Sequence, residues 1–194
     1  MMNLWLAKSV VVLGILLMVS IRAPHGLRRR TFKVARSWKG PLESLVLTVA
    51  RLGFFLPILW ITTPLFAFAD YPLHPMPFSA GILSLGVGLW LFQRAHTDLA
   101  TNWSTTLELR ENHEMVTEGI YRFVRHPMYL AIFVYSAGMA LTLPNWVAGP
   151  AYLVKFTLLF ALRVRAEERM MLEAFGKRYE AYMHRTHRLV PGVW

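Results

Sequence analysis

The sequence predicts an all-α integral membrane protein that crosses the bilayer five times. Of its 194 residues, 55% are hydrophobic and only 16% are charged, whereas soluble domains carry about 25% charged residues. Five apolar runs alternate with polar segments, and the chain is long enough for five helical spans of about 20 residues each. The chain has no cysteine, which excludes disulfides, thiolate metal sites and a cysteine nucleophile.

The first two apolar runs cover residues 4–21 and 52–69. The first contains Lys8 as its single charge, and its basic residues follow the apolar stretch. A secretory signal has the reverse order, so this run is interpreted as a retained span. The second run contains Pro57 and Pro64, which predict a kinked span because neighbouring helices can satisfy the freed backbone groups.

The other three runs cover residues 78–92, 128–143 and 146–162. The third run contains Gly81, Gly86 and Gly88, small residues that let another helix approach closely. The fourth and fifth runs are separated by Pro144 and Asn145 alone. We therefore expect these two runs to form a tight antiparallel hairpin.

Basic residues are concentrated on one side of this topology. The segments 22–41, 94–127 and 163–194 hold seven, four and seven Lys and Arg residues, together 18 of the 21 in the chain. Basic loops stay cytoplasmic, so the N-terminus is predicted outside and the C-terminus inside. Topology and contact with anionic lipid account for most of this charge. No nucleic-acid-binding motif accompanies it.

The C-terminal polar segment is predicted to continue the fifth span as an amphipathic helix. Its apolar stripe consists of Leu172, Phe175, Tyr179 and Tyr182, at the three-to-four spacing of one helix face. The continuation places Arg163, Glu167 and Glu168 within about two turns of the membrane surface. Arg163 and Glu167 are four residues apart, and an ordinary surface ion pair is one explanation for them.

The polar segment before the fourth run carries a dense group of chemically capable side chains. Taken singly, each could be an interfacial anchor, and Pro127 fits the first turn of a helix. Because the segment lies on the same predicted face as Glu167 and Glu168, these side chains form a candidate site: His113, Tyr121, Arg125, His126 and Tyr129. No metal-ligand spacing and no hydrolase, phosphate-loop or dinucleotide motif is present, so no metal is predicted.

The stretch from His113 to Tyr129 resembles the signature H-x-L-V-x-x-G-x-Y-x-x-x-R-H-P-x-Y of the isoprenylcysteine carboxyl methyltransferase (ICMT) family. That family is similar to the membrane phospholipid methyltransferases. The positions that resemble its second signature are Arg163, Glu167, Glu168, Phe175, Gly176, Tyr179, Tyr182 and Pro191. The resemblance extends from about residue 92 to the C-terminus, and the chain length is similar to that of the small prokaryotic members.

The resemblance implies S-adenosylmethionine-dependent methyl transfer at the cytoplasmic membrane face, with a lipophilic, isoprenylcysteine-like acceptor that enters from the bilayer. Arg163 and Glu167 are the implied catalytic residues, with Arg163 orienting an anionic acceptor. The cofactor would be held by His113, Val116, Gly119, Tyr121, Arg125, His126, Pro127, Tyr129, Glu167 and Glu168. In these roles the glutamates accept hydrogen bonds, the histidines and Arg125 donate them, and the tyrosines pack on flat groups.

Two regions are expected, with the three N-terminal spans in residues 1–92 and the catalytic region in 93–194, its hairpin covering 128–162. Partners are the bilayer and a lipophilic substrate, without nucleic acid, and we expect a monomer. Three alternatives stay open at this point. They are a phospholipid N-methyltransferase, a nicotinamide-dependent membrane reductase on a similar scaffold, and a non-enzymatic adaptor or transporter, although the sequence has no repeat typical of transporters.

Overall fold

The described part of the chain is helical, with one small sheet. The computed structural model describes residues 3–29, 34–37, 44, 47–48, 53–100, 108–110 and 114–192. The helices in these ranges are α1 (Leu4–Arg29), α2 (Phe55–Thr62), α3 (Pro75–Leu99), α4 (Pro127–Thr142), α5 (Ala148–Phe175) and α6 (Lys177–Arg185). Two 3-10 turns cover Ala67–Ala69 and Gly119–Arg122, and the antiparallel strands are β1 (Val34–Ser37) and β2 (Glu108–Arg110).

Two of the described helices are long and apolar enough to cross a membrane, in the segments Leu4–Gly26 and Pro75–Leu99. Helix α4 is apolar but has 16 residues, a length of about 24 Å. Helix α5 has 28 residues, of which the first half is mainly apolar and the second half charged. The structure thus supports a helical membrane fold, and the count of five spans stays a prediction.

The second apolar run differs from the single kinked span that its sequence predicts. Helix α2 ends at Thr62, and Thr63 is extended, with φ −135° and ψ 157°. Pro64 follows, and proline lacks the N–H that a continuing helix would need. The eight residues of α2 extend about 12 Å, so α2 alone is too short to cross the roughly 30 Å hydrocarbon core.

Close packing of α3 against α4 depends on glycine. A Cβ atom on Gly88 would lie 2.6 Å from the backbone nitrogen of Tyr135, and one on Gly81 would lie 2.9 Å from the Leu141 Cβ. The expectation of close helix approach is therefore confirmed for these two glycines. It is wrong for Gly86, because a Cβ there would meet nothing within 4 Å.

The turn between α4 and α5 is fastened to the connection between α2 and α3. The Asn145 side-chain amide donates to the Phe66 carbonyl and to Asp70 Oδ1, both at 2.7 Å. Its Oδ1 accepts from the backbone nitrogen of Ala148, the first residue of α5, at 2.8 Å. The indole of Trp60 also donates to Asp70 Oδ1 at 2.7 Å. These bonds hold the end of the bundle that is remote from the charged half of α5.

The C-terminal segment is two helices instead of one continuous amphipathic helix. Helix α5 ends at Phe175, and Gly176 follows with φ +53°, a left-handed conformation that glycine adopts without a Cβ penalty. Tyr179 and Tyr182 of the expected stripe are buried, but Leu172 is exposed. The break turns α6 so that its tyrosines pack beneath the segment that precedes α4.

Candidate functional site

The charged half of α5 lies beside the start of α4. Pro127 is fully buried at the first position of α4, where its missing N–H costs nothing. The Phe160 ring of α5 packs against the rings of His126 and Tyr129, with centroids 6.5 and 5.1 Å apart. This aromatic contact aligns the two elements and brings Glu167 and Glu168 to the polar residues before α4.

Glu168 is the centre of a buried ion-pair network. Its side chain accepts a hydrogen bond from Arg125 Nε at 3.1 Å, and Nε2 of His126 lies 3.4 Å from the same oxygen. Arg188 donates to Oε2 from Nε at 3.0 Å and from Nη2 at 2.7 Å. Burial alone would raise the pKa of Glu168, but the bonds from His126 and Arg188 lower it to about 2. The carboxylate is therefore ionised at neutral pH.

Arg125 also connects Glu168 to the end of α6. Its Nη1 donates to the carbonyl of Met183 at 3.0 Å and to the carbonyl of Thr186. Carbonyl acceptors leave the guanidinium charge to be balanced by Glu168, and the Arg125 side chain is 8% exposed. Arg125 thus acts as a bridge between α5, α6 and the segment before α4.

The chain after α6 returns along residues 123–126. The backbone nitrogen of Arg125 donates to the His187 carbonyl at 2.8 Å, and that of His126 donates to the Arg188 carbonyl at 3.1 Å. This backbone pairing places Arg188 where its side chain can bind Glu168. Sequence reasoning missed Arg188, and the only available signal was that a buried carboxylate requires compensating cations.

Glu167 has a different environment from its neighbour. Its side chain is 29% exposed, and Nδ1 of His126 lies 3.8 Å from Oε1. The Tyr129 hydroxyl donates to Oε2 at 3.0 Å. His126 therefore lies between the two glutamates, with one ring nitrogen facing each. Within the described part of the chain, no hydrogen bond to Oε1 of Glu167 is formed, so this oxygen keeps acceptor capacity.

Arg163 lies one helical turn before Glu167 on α5 and is partly buried. Residues four apart on a helix share a face, so the guanidinium and the Glu167 carboxylate border the same region. The structure brings this pair to the polar end of the bundle, as the sequence predicts. The role of Arg163 toward an acceptor stays a prediction.

Tyr121 and Gly119 shape the turn before α4. The Tyr121 hydroxyl donates to the Ala95 carbonyl at 3.4 Å, and its own carbonyl accepts from the Tyr182 hydroxyl at 2.6 Å. Burial, followed by the nearby Glu167 charge, raises the pKa of Tyr121. Gly119 has φ +59°, and a Cβ there would collide with the Asp98 carboxylate. Tyr121 and Gly119 therefore fix the conformation of the turn that precedes α4.

The remaining expected site residues contribute less to this cluster. Val116 is partly buried beside the turn, and His113 lies outside the described residues. No group of three metal-ligating side chains suited to an ion occurs within the described ranges. The assembled cluster therefore consists of Glu167, Glu168, His126 and Tyr129, with Arg125 and Arg188 as supporting cations.

Comparisons with known proteins point to one family. Residues 82–173 match a model of the isoprenylcysteine carboxyl methyltransferase (ICMT) family. Protein-S-isoprenylcysteine O-methyltransferase A of Arabidopsis thaliana is 28% identical over 155 residues, which are 78% of this chain and 79% of that protein. Protein-S-isoprenylcysteine O-methyltransferase B of the same plant is 36% identical over 83 residues, 43% of this chain and 42% of that protein.

A solved structure shows the same fold. The eukaryotic intramembrane Ras methyltransferase ICMT aligns with a TM-score of 0.56 and 24% identity, over 79% of this chain and 53% of that chain. This chain thus spans about half the length of that protein and of the B relative. The expectation of a prokaryotic type is not tested by these matches. The match to the isoprenylcysteine carboxyl methyltransferase family model covers residues 82–173, which hold α4, most of α5 and both glutamates.

Proposed function

We propose that the protein is a membrane methyltransferase that uses S-adenosylmethionine to methylate a carboxylate on a lipophilic, isoprenylcysteine-like acceptor. The observation that carries the proposal is the coincidence of the family region with the polar cluster. Residues 82–173 contain His126, Tyr129 and Glu167, which meet where α4 begins, and Arg163, which precedes Glu167 by one turn of α5. The relatives are named O-methyltransferases, which favours a carboxyl oxygen over a phospholipid amine and favours methyl transfer over reduction or transport.

The chemistry of the donor set fits an S-adenosylmethionine molecule. Its ammonium and ribose hydroxyls require acceptors, and Glu167 has acceptor capacity at Oε1. Glu168 is already occupied by Arg125 and Arg188, so we assign it to positioning His126 instead of binding the ammonium directly. Tyr129 and Phe160 offer aromatic surface. We propose that the other expected cofactor residues, His113, Val116, Gly119, Tyr121 and Pro127, border the same site.

The bound cofactor supplies an electrophilic methyl group on a sulfonium, and the protein supplies position and electrostatics. Displacement at a methyl carbon needs an in-line approach, and holding two reactants in that geometry removes a large entropic barrier. Arg163 is suited to hold an acceptor carboxylate because guanidinium matches it bidentately. Neither a metal nor a covalent nucleophile is required by this chemistry.

The membrane arrangement is part of the proposal. We infer five spans. The first is α1, the second is the apolar run 52–69 that includes α2, and the others are α3, α4 and the apolar half of α5. The last two spans form a hairpin. The distribution of 18 of 21 basic residues supports an external N-terminus and a cytoplasmic site. The lipophilic tail of the acceptor would then lie in the bilayer while its acid group meets Arg163.

Calorimetric titration of the purified chain in detergent with S-adenosylhomocysteine, the product of the donor, tests the proposal. We expect binding by the wild type and at least about tenfold weaker binding by Glu167→Gln, because one charge-assisted hydrogen bond is worth about 1.5–3 kcal/mol. The matched control is Glu180→Gln, an exposed glutamate of α6, which should bind like the wild type. Absence of wild-type binding at millimolar ligand would overturn the methyltransferase assignment.

A further inference from the structure

Asp98 lies in the last turn of α3, and its side chain is bound to the turn that precedes α4. Its Oδ2 accepts a hydrogen bond from the backbone nitrogen of Ile120 at 2.8 Å, and the side chain is 13% exposed. The 3-10 turn Gly119–Arg122 receives no side-chain cap from Glu118, the residue before it. Asp98 therefore supplies, from a different helix, the acceptor that an N-cap residue normally supplies.

The Asp98 carboxylate fits against this turn only because residue 119 is glycine. Gly119 has φ +59°, and a Cβ at this position would collide with Oδ2 of Asp98. A carboxylate that accepts from a backbone N–H forms one of the stronger hydrogen bonds in proteins. The small residue and the acceptor on α3 thus act together to fix where the turn lies.

A second bond joins the same turn to α3. The hydroxyl of Tyr121 donates to the Ala95 carbonyl at 3.4 Å, and Ala95 precedes Asp98 by three residues, on the same helix face. On its other side the turn is bound by α6, where the Tyr182 hydroxyl donates to the Tyr121 carbonyl at 2.6 Å. The turn is therefore held between the end of α3 and α6.

The end of α3 is itself fixed relative to the start of α4. Phe92 is 1% exposed and packs against Ala131 and Ile132, which lie in the first two turns of α4. His126 immediately precedes α4, so this packing also fixes α3 relative to His126. A change at Asp98 would therefore move the turn relative to His126, while α3 stays in place.

The ion pair of Asp98 with Arg94 does not explain this arrangement. Nη2 of Arg94 lies 3.4 Å from Oδ1 of Asp98, and the Arg94 side chain is 49% exposed. Pairs of this kind, four residues apart on an exposed helix face, contribute little to stability. The pair uses Oδ1, whereas Ile120 donates to Oδ2. The two interactions can therefore be removed separately.

We propose that Asp98 is a positioning residue for the cofactor of the proposed methyl transfer. It holds the turn against α3 and so sets where Val116 and Tyr121 lie relative to His126, without itself contacting the cofactor. This inference rests on the proposed function, in which Val116, Gly119 and Tyr121 border the S-adenosylmethionine site. Displacement of a positioning segment by about 1 Å can reduce a rate about a hundredfold.

Calorimetric titration of the full chain in detergent with S-adenosylhomocysteine tests this role. Asp98→Ala removes the acceptor, and we expect at least about tenfold weaker binding than by the wild type. Asp98→Asn keeps an oxygen that can accept from Ile120 and should bind within about threefold of the wild type. The matched control is Arg94→Gln, which removes only the ion pair and should bind like the wild type.

Thermal unfolding of each variant separates positioning from stability. A merely structural role would lower the unfolding temperature of Asp98→Ala and leave its affinity unchanged at a temperature where it is folded. That result would overturn the proposal, as would an equal loss of affinity in Asp98→Asn and Asp98→Ala. If Asp98→Ala does not fold, Asp98→Glu provides the test. It keeps the charge but displaces the acceptor by one methylene, and a wild-type affinity in this variant would likewise overturn the proposal.

Failure of this inference is distinguishable from failure of the proposed function. Absence of S-adenosylhomocysteine binding by the wild type contradicts the proposed function and, with it, the role of Asp98. Binding by the wild type together with unchanged affinity in folded Asp98→Ala contradicts the role of Asp98 alone.

Discussion

Replacement of Glu168 by glutamine would remove the central charge of the ion-pair network. The pKa of this carboxyl falls from 4.5 to about 2 in the folded protein, and each pKa unit corresponds to 1.36 kcal/mol. The ionised carboxylate therefore contributes about 3 kcal/mol to stability at neutral pH. Glu168→Gln should lose about that amount, since removal of one member of a buried ion pair costs about 3–5 kcal/mol.

Thermal unfolding in detergent, followed by tryptophan fluorescence, measures this loss. The chain has seven tryptophans and no cysteine, so the intrinsic signal is strong and thiol dyes are not applicable. Glu168→Gln should unfold at a clearly lower temperature than the wild type. The exposed Glu180→Gln should differ little, because surface charges contribute about 0–1 kcal/mol.

The pH dependence provides the check on the cause. A lowered folded-state pKa gives stability that is complete above the unfolded value of 4.5 and is lost as pH falls toward about 2. Wild-type stability should therefore decline across this interval, and Glu168→Gln should lack that part of the decline. Equal stability of the variant and the wild type at pH 7, or identical pH profiles, would refute the reasoning.

Four further substitutions test the packing. Gly88→Ala should destabilise the α3–α4 contact by about 1–3 kcal/mol, whereas Gly86→Ala should be neutral or stabilising by up to about 1 kcal/mol; equal unfolding temperatures would contradict the close approach. Gly119→Ala should lower the free energy of unfolding by about 1–2 kcal/mol because Gly119 has a left-handed backbone. The added methyl should also push the turn away from Asp98. An unfolding temperature and a ligand affinity equal to those of the wild type would contradict this prediction. Asn145→Ala should lower the free energy of unfolding by about 1–3 kcal/mol because it leaves buried polar groups without hydrogen bonds. The same unfolding assay measures this loss. An unfolding temperature equal to that of the wild type would contradict the role of Asn145 in holding the α4–α5 turn.

Local sequence signals predicted the long helices well. Apolar length indicated α1, α3 and α4, and the two-residue separation at Pro144 and Asn145 indicated the turn before α5. The signals failed where a single backbone position decided the outcome. The extended Thr63 ends α2, and the left-handed Gly176 separates α5 from α6; neither could be distinguished by hydropathy from a continuing helix.

The site was predictable only in part, for a related reason. Arg125, His126 and Tyr129 are close in sequence and were predicted as a group. Glu167 and Glu168 were added because the predicted topology places both polar segments on the same face of the membrane. Arg188 reaches the site by backbone pairing of the chain after α6, a long-range contact without a periodic sequence pattern. The different environments of the two adjacent glutamates also depend on that contact.

The most direct measurement of the central claim is methyl transfer by the purified chain in lipid nanodiscs. Methyl-labelled S-adenosylmethionine is incubated with N-acetyl-farnesylcysteine, and the lipophilic product is treated with base. We expect label in the product that base releases as methanol, since a carboxyl methyl ester is base-labile and a methylated amine is not. Glu167→Gln should lose this signal and Glu180→Gln should keep it. Absence of label transfer by the wild type to this acceptor and to membrane lipid extracts would contradict the account.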